Sequence, residues 1–344
     1  MVKRPLFYSI LLLMLASCHI QEPEPEPLWM TINQFEWQPD GEHVIAMASI
    51  EYIDIAPSVY SYFKLSSDGS TREKLSNDLF MECGRYPMHF YLRKDGTQAL
   101  VEECRAIDRF SVSTRSSTEF YIPIQSTHEA LIAASPDLKY AFLDVLDNTG
   151  KGLSPKRLFT VVDLSGKTYR TVSQDSFPGM NLLPSGGMWL DEGHFAVEGN
   201  LGSTDIGIVI IDTSCKVKGI IPRNRDNSSD GCKMFYISSQ RTIYYTDQAQ
   251  LYKYSLDDSS IVAFNIGKVY DTFEITPDGE YIIFQRSFPN DGLYVKNIKT
   301  AAVDTIYNNR VTCFRVSPDG TKVAYSESYN GEFVPLTTVE IPRP

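Results

Sequence analysis

The sequence predicts an all-β fold, a seven-bladed β-propeller of four-stranded antiparallel blades, with six or eight blades as the alternatives. Three observations predict it. A phrase pairing an aromatic residue with a Pro-Asp-Gly turn recurs along the chain. Its copies stand roughly forty to fifty residues apart, and the intervals divide into short apolar runs of strand length. Aromatic residues make up 12% and hydrophobic residues 42% of the 344-residue chain, enough to fill a large core.

The full phrase occurs at Phe35 to Pro39-Asp40-Gly41, Phe90 to Lys94-Asp95-Gly96, Phe273 to Pro277-Asp278-Gly279 and Phe314 to Pro318-Asp319-Gly320. Each time the aromatic lies six residues before the glycine. Proline presets φ for the first turn position, aspartate caps the bend and glycine accepts a positive φ, so a tight hairpin follows. Degenerate copies run from Ile132 to Pro136-Asp137-Leu138, Gly187 to Asp191-Glu192-Gly193 and Phe235 to Ser239-Gln240-Arg241, giving seven units in all. In the sixth unit the expected strands are Phe273–Thr276, Tyr281–Gln285, Leu293–Ile298 and Val303–Tyr307, bounded by turn residues such as Asn290-Asp291-Gly292. The seventh unit shows three clear strands, the last within Phe333–Ile341. The stretch Leu28–Met30 belongs to no unit, so an N-terminal strand is expected to close the ring as the missing outer strand of the last blade.

The segment before that strand is a leader. Lys3 and Arg4 precede an apolar run from Leu6 to Ala16, too short to span a bilayer, which takes about 20 apolar residues. Leu15-Ala16-Ser17-Cys18 resembles the lipobox of bacterial lipoproteins. That resemblance implies a signal peptide over residues 1–17, cleavage before Cys18 and lipidation of its sulfur. Residues 18–27 follow as an acidic Pro-Glu linker ending in Glu22-Pro23-Glu24-Pro25-Glu26-Pro27, expected to stay extended as a spacer. By the same resemblance, His19 in place of an aspartate favours the outer membrane, facing the periplasm or the cell surface. The propeller domain is then 28–344.

Loss of Lys3 and Arg4 moves the formal net charge from −11 to −13. Phosphate-rich partners demand a basic face, so nucleic acid is excluded, and a polybasic dock onto anionic lipid is disfavoured. The lipid on Cys18 is the expected membrane contact. No cofactor is implied.

The repeated phrase, clearest in Phe35-Glu36-Trp37-Gln38-Pro39-Asp40-Gly41, resembles the aromatic-x-Trp-Ser-Pro-Asp-Gly signature of TolB-type propellers, and the likeness runs across nearly the whole body. It implies architecture and is nearly silent on activity. The stretch before Phe35 is too short for the N-terminal α/β domain of TolB-like proteins.

The hairpin turns should share one face with the turns between third and fourth strands. The opposite face carries the longer loops Ile53–Val59, Asp144–Lys156, Asp175–Gly187, Glu198–Ile206 and Arg223–Gly231, and long loops on a rigid scaffold are where binding usually sits. Candidate ligand residues there are Asp144, Asp147 and Asn148 in an oxygen-rich turn. That turn departs from the twelve-residue calcium-loop pattern, so it reads as a solvated acidic turn before a metal site. Arg223 and Arg225 stand in a polar loop suited to a carboxylate or a sugar, or to its own acceptors. Tyr52, Phe288 and Tyr329 either stack a ligand or plug the rim of the core.

Five cysteines remain beyond Cys18. Cys83 and Cys104 flank one hairpin at its open end, which predicts a disulfide between them. Cys215 and Cys232 should lie on opposite faces and stay unpaired. No metal-site spacing, no Gly-x-Ser-x-Gly elbow and no histidine pair at ligand spacing occurs. His43 and His194 follow hairpin turns, His89 starts a strand and His128 sits in a crossing. The resulting expectation is a non-enzymatic, lipid-anchored envelope propeller that binds a protein, peptide or glycan, or serves as an assembly scaffold. The competing expectation is a propeller hydrolase or lyase acting on carbohydrate or peptide.

Overall fold

In the computed structural model, the described residues are 29–343 except 53–54, 77–78, 81–89, 103–106, 121–125, 148–155, 165–167, 178, 192, 203–205, 224–232, 248–249, 265–271, 287–290 and 328–335. They form seven antiparallel sheets arranged as the blades of a ring.

Blade 1 contains β1 (Trp29–Trp37), β2 (His43–Tyr52), β3 (Ile55–Ser66) and β4 (Arg72–Lys74), with the short β5 (Leu79–Phe80) also pairing with β3. Blade 2 is β6 (Phe90–Leu92), β7 (Gln98–Glu102), β8 (Ile107–Ser111) and β9 (Ser116–Phe120). Blade 3 is β10 (Ser126–Ala134), β11 (Tyr140–Asp147), β12 (Lys156–Asp163) and β13 (Thr168–Ser173). Blade 4 is β14 (Asn181–Trp189), β15 (His194–Asn200), β16 (Ile206–Asp212) and β17 (Val217–Arg223). Blade 5 is β18 (Met234–Ile237), β19 (Thr242–Asp247), β20 (Gln250–Ser255) and β21 (Ile261–Phe264). Blade 6 is β22 (Phe273–Ile275), β23 (Tyr281–Arg286), β24 (Gly292–Asn297) and β25 (Val303–Tyr307). Blade 7 has, among the described residues, β26 (Val311–Val316), β27 (Lys322–Glu327) and β28 (Leu336–Glu340).

All seven predicted turns join a first to a second strand, including the degenerate ones. Gly41, Gly96, Gly279 and Gly320 take φ between +66° and +74°, and where glycine is missing Leu138 and Arg241 are forced to φ +51° and +48°. In the last turn Asp319 Oδ1 accepts from Ser317 Oγ at 2.6 Å and from Thr321 N–H at 3.0 Å. These bonds, the one from Ser317 first, hold its carboxyl below the ordinary range. The turns also interlock around the ring. A Cβ on Gly320 would stand 2.8 Å from Pro277 Cδ of the preceding turn, and one on Gly96 would stand 3.0 Å from Pro39 Cδ. Gln38 Nε2 donates to Gly96 O, Lys94 N–H to Pro136 O, and Gln240 Nε2 to Asp278 O. Glycine therefore serves two needs at these sites: a left-handed φ and a close approach by the neighbouring turn.

Alternating side chains of each strand feed the two gaps beside its blade. From β2, Val44, Ala46 and Ala48 pack toward Ala324 and Leu336 of blade 7, while Ile45 and Met47 pack toward Phe90 and Phe110 of blade 2. Seven apolar clusters result, one in each gap. A second strand buried on both faces reads as a continuous apolar run, as in Tyr281–Phe284.

One topological expectation is corrected. Trp29 and Met30 of the stretch Leu28–Met30 lie opposite Glu51 and Ile50 in β1, the inner strand of blade 1, and not at the outer edge of blade 7; Leu28 lies outside the described residues. The cause is burial: an irregularity between Ile32 and Gln34 lets Met30 and Ile32 enter the same gap between blades 7 and 1 as Phe35 and Trp37. The seam is held at the inner wall instead. Trp37 Nε1 donates to Arg315 O at 3.0 Å, and Cys313 Sγ lies 3.7 Å from Ile32 O.

Candidate functional site

The innermost strands carry a residue directly after the repeat's aromatic position, and in blades 1, 6 and 7 that residue is charged: Glu36, Glu274 and Arg315. The ring brings the three together. Arg315 Nε donates to Glu36 Oε1 at 2.9 Å, and its Nη1 stands 3.2 Å from Glu274 Oε1. Glu274 Oε2 accepts the Val316 N–H at 2.7 Å, so its carboxylate also satisfies the backbone of the next blade's inner strand. Burial pushes the Glu274 carboxyl up to about 7, against the pull of Arg315 and of the Val316 bond. Burial likewise opposes the charge on Arg315, but Glu36 and Glu274 outweigh it and raise its pKa further. This is a carboxylate–guanidinium–carboxylate bridge across three blades. The sequence signal was available: a charged residue recurs at one repeat offset.

Nearer the opposite face, two predicted ligand residues are engaged inside the protein. Asp144 lies within β11, not in a loop, and receives both Nε and Nη2 of Arg157 at 2.9 Å. Arg223 ends β17 almost fully buried. Its Nη1 donates to Glu198 Oε1 at 2.6 Å, and its Nε lies 3.9 Å from Asp247 Oδ1 in the next blade. The expected loop placement of both is thus corrected: each lies in a strand and is held in an ion pair within the protein. The strands run further than the repeat suggested, because β11, β12, β15 and β17 keep pairing to the end of the sheet. For the same reason β3 begins at Ile55, which reduces the expected loop Ile53–Val59 to residues 53–54, and Tyr52 is the last residue of β2, opposite Ile55. Asp147 ends β11 opposite Lys156.

Asn148, Arg225, Phe288 and Tyr329 lie outside the described residues, as do Cys18, the expected pair Cys83 and Cys104, Cys232 and His89. His128 lies within β10 opposite Leu146, not in a crossing. His43 and His194 each place Nδ1 2.8 Å from the turn aspartate three residues earlier, Asp40 and Asp191. Cys215 is buried at φ +60°, and burial raises its thiol to about 11. Cys313, enclosed at the seam, is raised to about 12, again first by burial. Among the described residues no three His, Cys, Asp or Glu side chains gather as a metal-holding group.

The two faces differ as expected. The described hairpin turns span only stretches such as 38–42, 93–97 and 317–321. The strand ends at the other face are joined by stretches that include 148–155, 224–233 and 328–335.

This architecture defines the class: a seven-bladed β-propeller. No family model matches the chain, and no curated protein matches it. Solved structures do. An oligogalacturonate lyase in complex with manganese is similar at TM-score 0.65 and 12% identity, over 91% of this chain and 90% of that one. The oligogalacturonate lyase of Vibrio parahaemolyticus is similar at TM-score 0.60 and 9% identity, over 92% and 93%. The β-propeller domain of the trilobed protease from Pyrococcus furiosus, described as having an open velcro topology, is similar at TM-score 0.60 and 10% identity, over 92% and 97%. At such identities the shared property is the fold.

Proposed function

We propose that this chain is an exported, lipid-anchored propeller of the TolB-type kind, tethered to the outer membrane through Cys18. In this reading its long-connection face binds a protein, peptide or glycan of the envelope. The observation that carries the binding role is the asymmetry of the disc: interlocked short turns on one face, longer connections on the other. The anchor reading rests on Leu15-Ala16-Ser17-Cys18 and the charged and apolar zones before it.

Crosslinking and pull-down from intact cells test the binding role. Residues 225–231 are replaced by Gly and Ser, with the buried Arg223 left in place. A partner captured by the wild type and lost from the variant is the expected result; equal capture by both, or none by either, overturns the assignment of that loop.

The competing reading, a lyase or hydrolase acting on carbohydrate or peptide, draws on the axial carboxylates Glu36 and Glu274 and on the enzymes among the similar structures. Incubation with oligogalacturonates and with peptides, read by mass spectrometry, separates the two. Products that form with wild type and not with Glu274→Gln favour the enzyme.

A further inference from the structure

The gap between blades 5 and 6 collects basic side chains without an acid. Leu251 of β20 packs into the apolar cluster of that gap, and Lys253, two residues on, takes the same side of the sheet. From blade 6, Ile282, Phe284 and Tyr294 enter the cluster; Arg286 continues the alternation of β23 and Lys296 that of β24. Arg286 folds over the rings of Phe284 and Tyr294, its guanidinium carbon 5.3 Å and 5.1 Å from their centroids. Stacked in this way, the guanidinium keeps its N–H edge for an acceptor. Lys296 is only 7% exposed. Among the described residues, Lys253, Arg286 and Lys296 have no hydrogen-bond or ion-pair partner. Arg157, Arg223 and Arg315 each hold a carboxylate. Burial first, and then the charge of Arg286, lower the Lys296 ammonium below its ordinary range, and no carboxylate counters them. A covered ammonium without an acceptor costs folding free energy that an anion from solvent would offset. Its nitrogen is not sealed from solvent, so such an anion can reach it.

The mouth of the same gap is apolar. Val262 of β21 stands opposite Lys253, and Val303 of β25 stands opposite Lys296. Residues opposite one another in an antiparallel pair share a side of the sheet, so each valine lies just outside a lysine, on the two walls of one groove. Val262 is 48% and Val303 44% exposed, which makes them two of the four exposed large hydrophobic residues among those described. Cations within and aliphatic surface at the rim match a ligand with a charged head and an apolar body.

We propose that the groove between the outer strands of blades 5 and 6 binds a small amphiphilic anion, an acyl carboxylate. Its head lies among Lys253, Arg286 and Lys296, and its chain lies against Val262 and Val303. This site is on the rim of the disc, apart from the long-connection face and from the axial Glu36, Glu274 and Arg315, and it stands whether or not the function proposed above holds.

Calorimetric titration of the full chain with octanoate, octanol and inorganic phosphate at fixed ionic strength tests it. Octanoate is expected to bind saturably, one per chain. Lys296→Met should weaken it about tenfold or more, because a charge-assisted hydrogen bond is lost. Val303→Ser should weaken it about threefold or more through lost apolar contact. Absence of octanoate binding, or equal binding by Lys296→Met, overturns the proposal. So does octanol binding as tightly as octanoate, which leaves only a greasy groove, or phosphate binding as tightly, which leaves only an anion site. Thermal melts of the ligand-free proteins give a second readout that also reports whether the variant folds. Lys296→Met should melt at or above the wild-type temperature, because it removes a covered cation that has no acceptor. A lower melting temperature would show that Lys296 is matched inside the protein, and would overturn the site.

Discussion

At the scale of the residue, the turn glycines separate two costs. Gly41 and Gly320 have nearly the same φ, +66° and +72°, but a Cβ on Gly41 meets nothing within 4 Å while one on Gly320 meets Pro277. Gly41→Ala should cost about 1 kcal/mol, the left-handed penalty alone. Gly320→Ala should cost about 2 kcal/mol or more, because the preceding turn must also move. Urea denaturation of the two variants measures the difference, and equal midpoints would refute the interlock. Glu274 gives a pH signature. A carboxyl raised by folding from its ordinary value of 4.5 to about 7 contributes stability that is complete below the lower value and is lost as pH rises through the higher one. Glu274→Gln keeps an acceptor for Val316 N–H and lacks this loss. Relative to wild type it should gain about 2–3 kcal/mol between about pH 5 and about pH 8, at about 1.4 kcal/mol per pKa unit. Parallel stability profiles for the two proteins would contradict this.

At the scale of the element, charges in the far halves of the strands fasten strand to strand and, at Arg223, blade to blade. Arg223 faces Glu198 of its own blade and Asp247 of the next, and Asp144 holds Arg157 across β11 and β12. Arg223→Met takes the guanidinium away from two buried acids and should lower stability by about 3–5 kcal/mol. Arg225→Met is the companion variant, with a small effect on stability expected. Thermal melts of both decide whether Arg223 is a fastener or a ligand group. These residues were legible as polar and clustered, yet their role was not. A repeat phrase fixes where a hairpin turns, but the far end of a strand depends on how long its neighbours keep pairing.

At the scale of the whole molecule, the ring joins its ends at the inner wall, where Trp37 and Glu36 of the first blade grip Arg315 of the last. Cys18→Ser should move the protein from the membrane fraction to the soluble fraction with an unchanged melting temperature; retention in the membrane would refute the anchor. The sequence by itself determined the all-β class, a blade count near seven and the place of each turn between a first and a second strand, because turn chemistry is local and written in consecutive residues such as Pro277-Asp278-Gly279. Only the tertiary structure decided that Trp29 and Met30 belong to the inner strand of the first blade, that Asp144 and Arg223 form internal ion pairs, and that Glu36, Glu274 and Arg315 meet. Those outcomes depend on which blades become neighbours, and closure of the ring brings together residues more than two hundred positions apart in the chain.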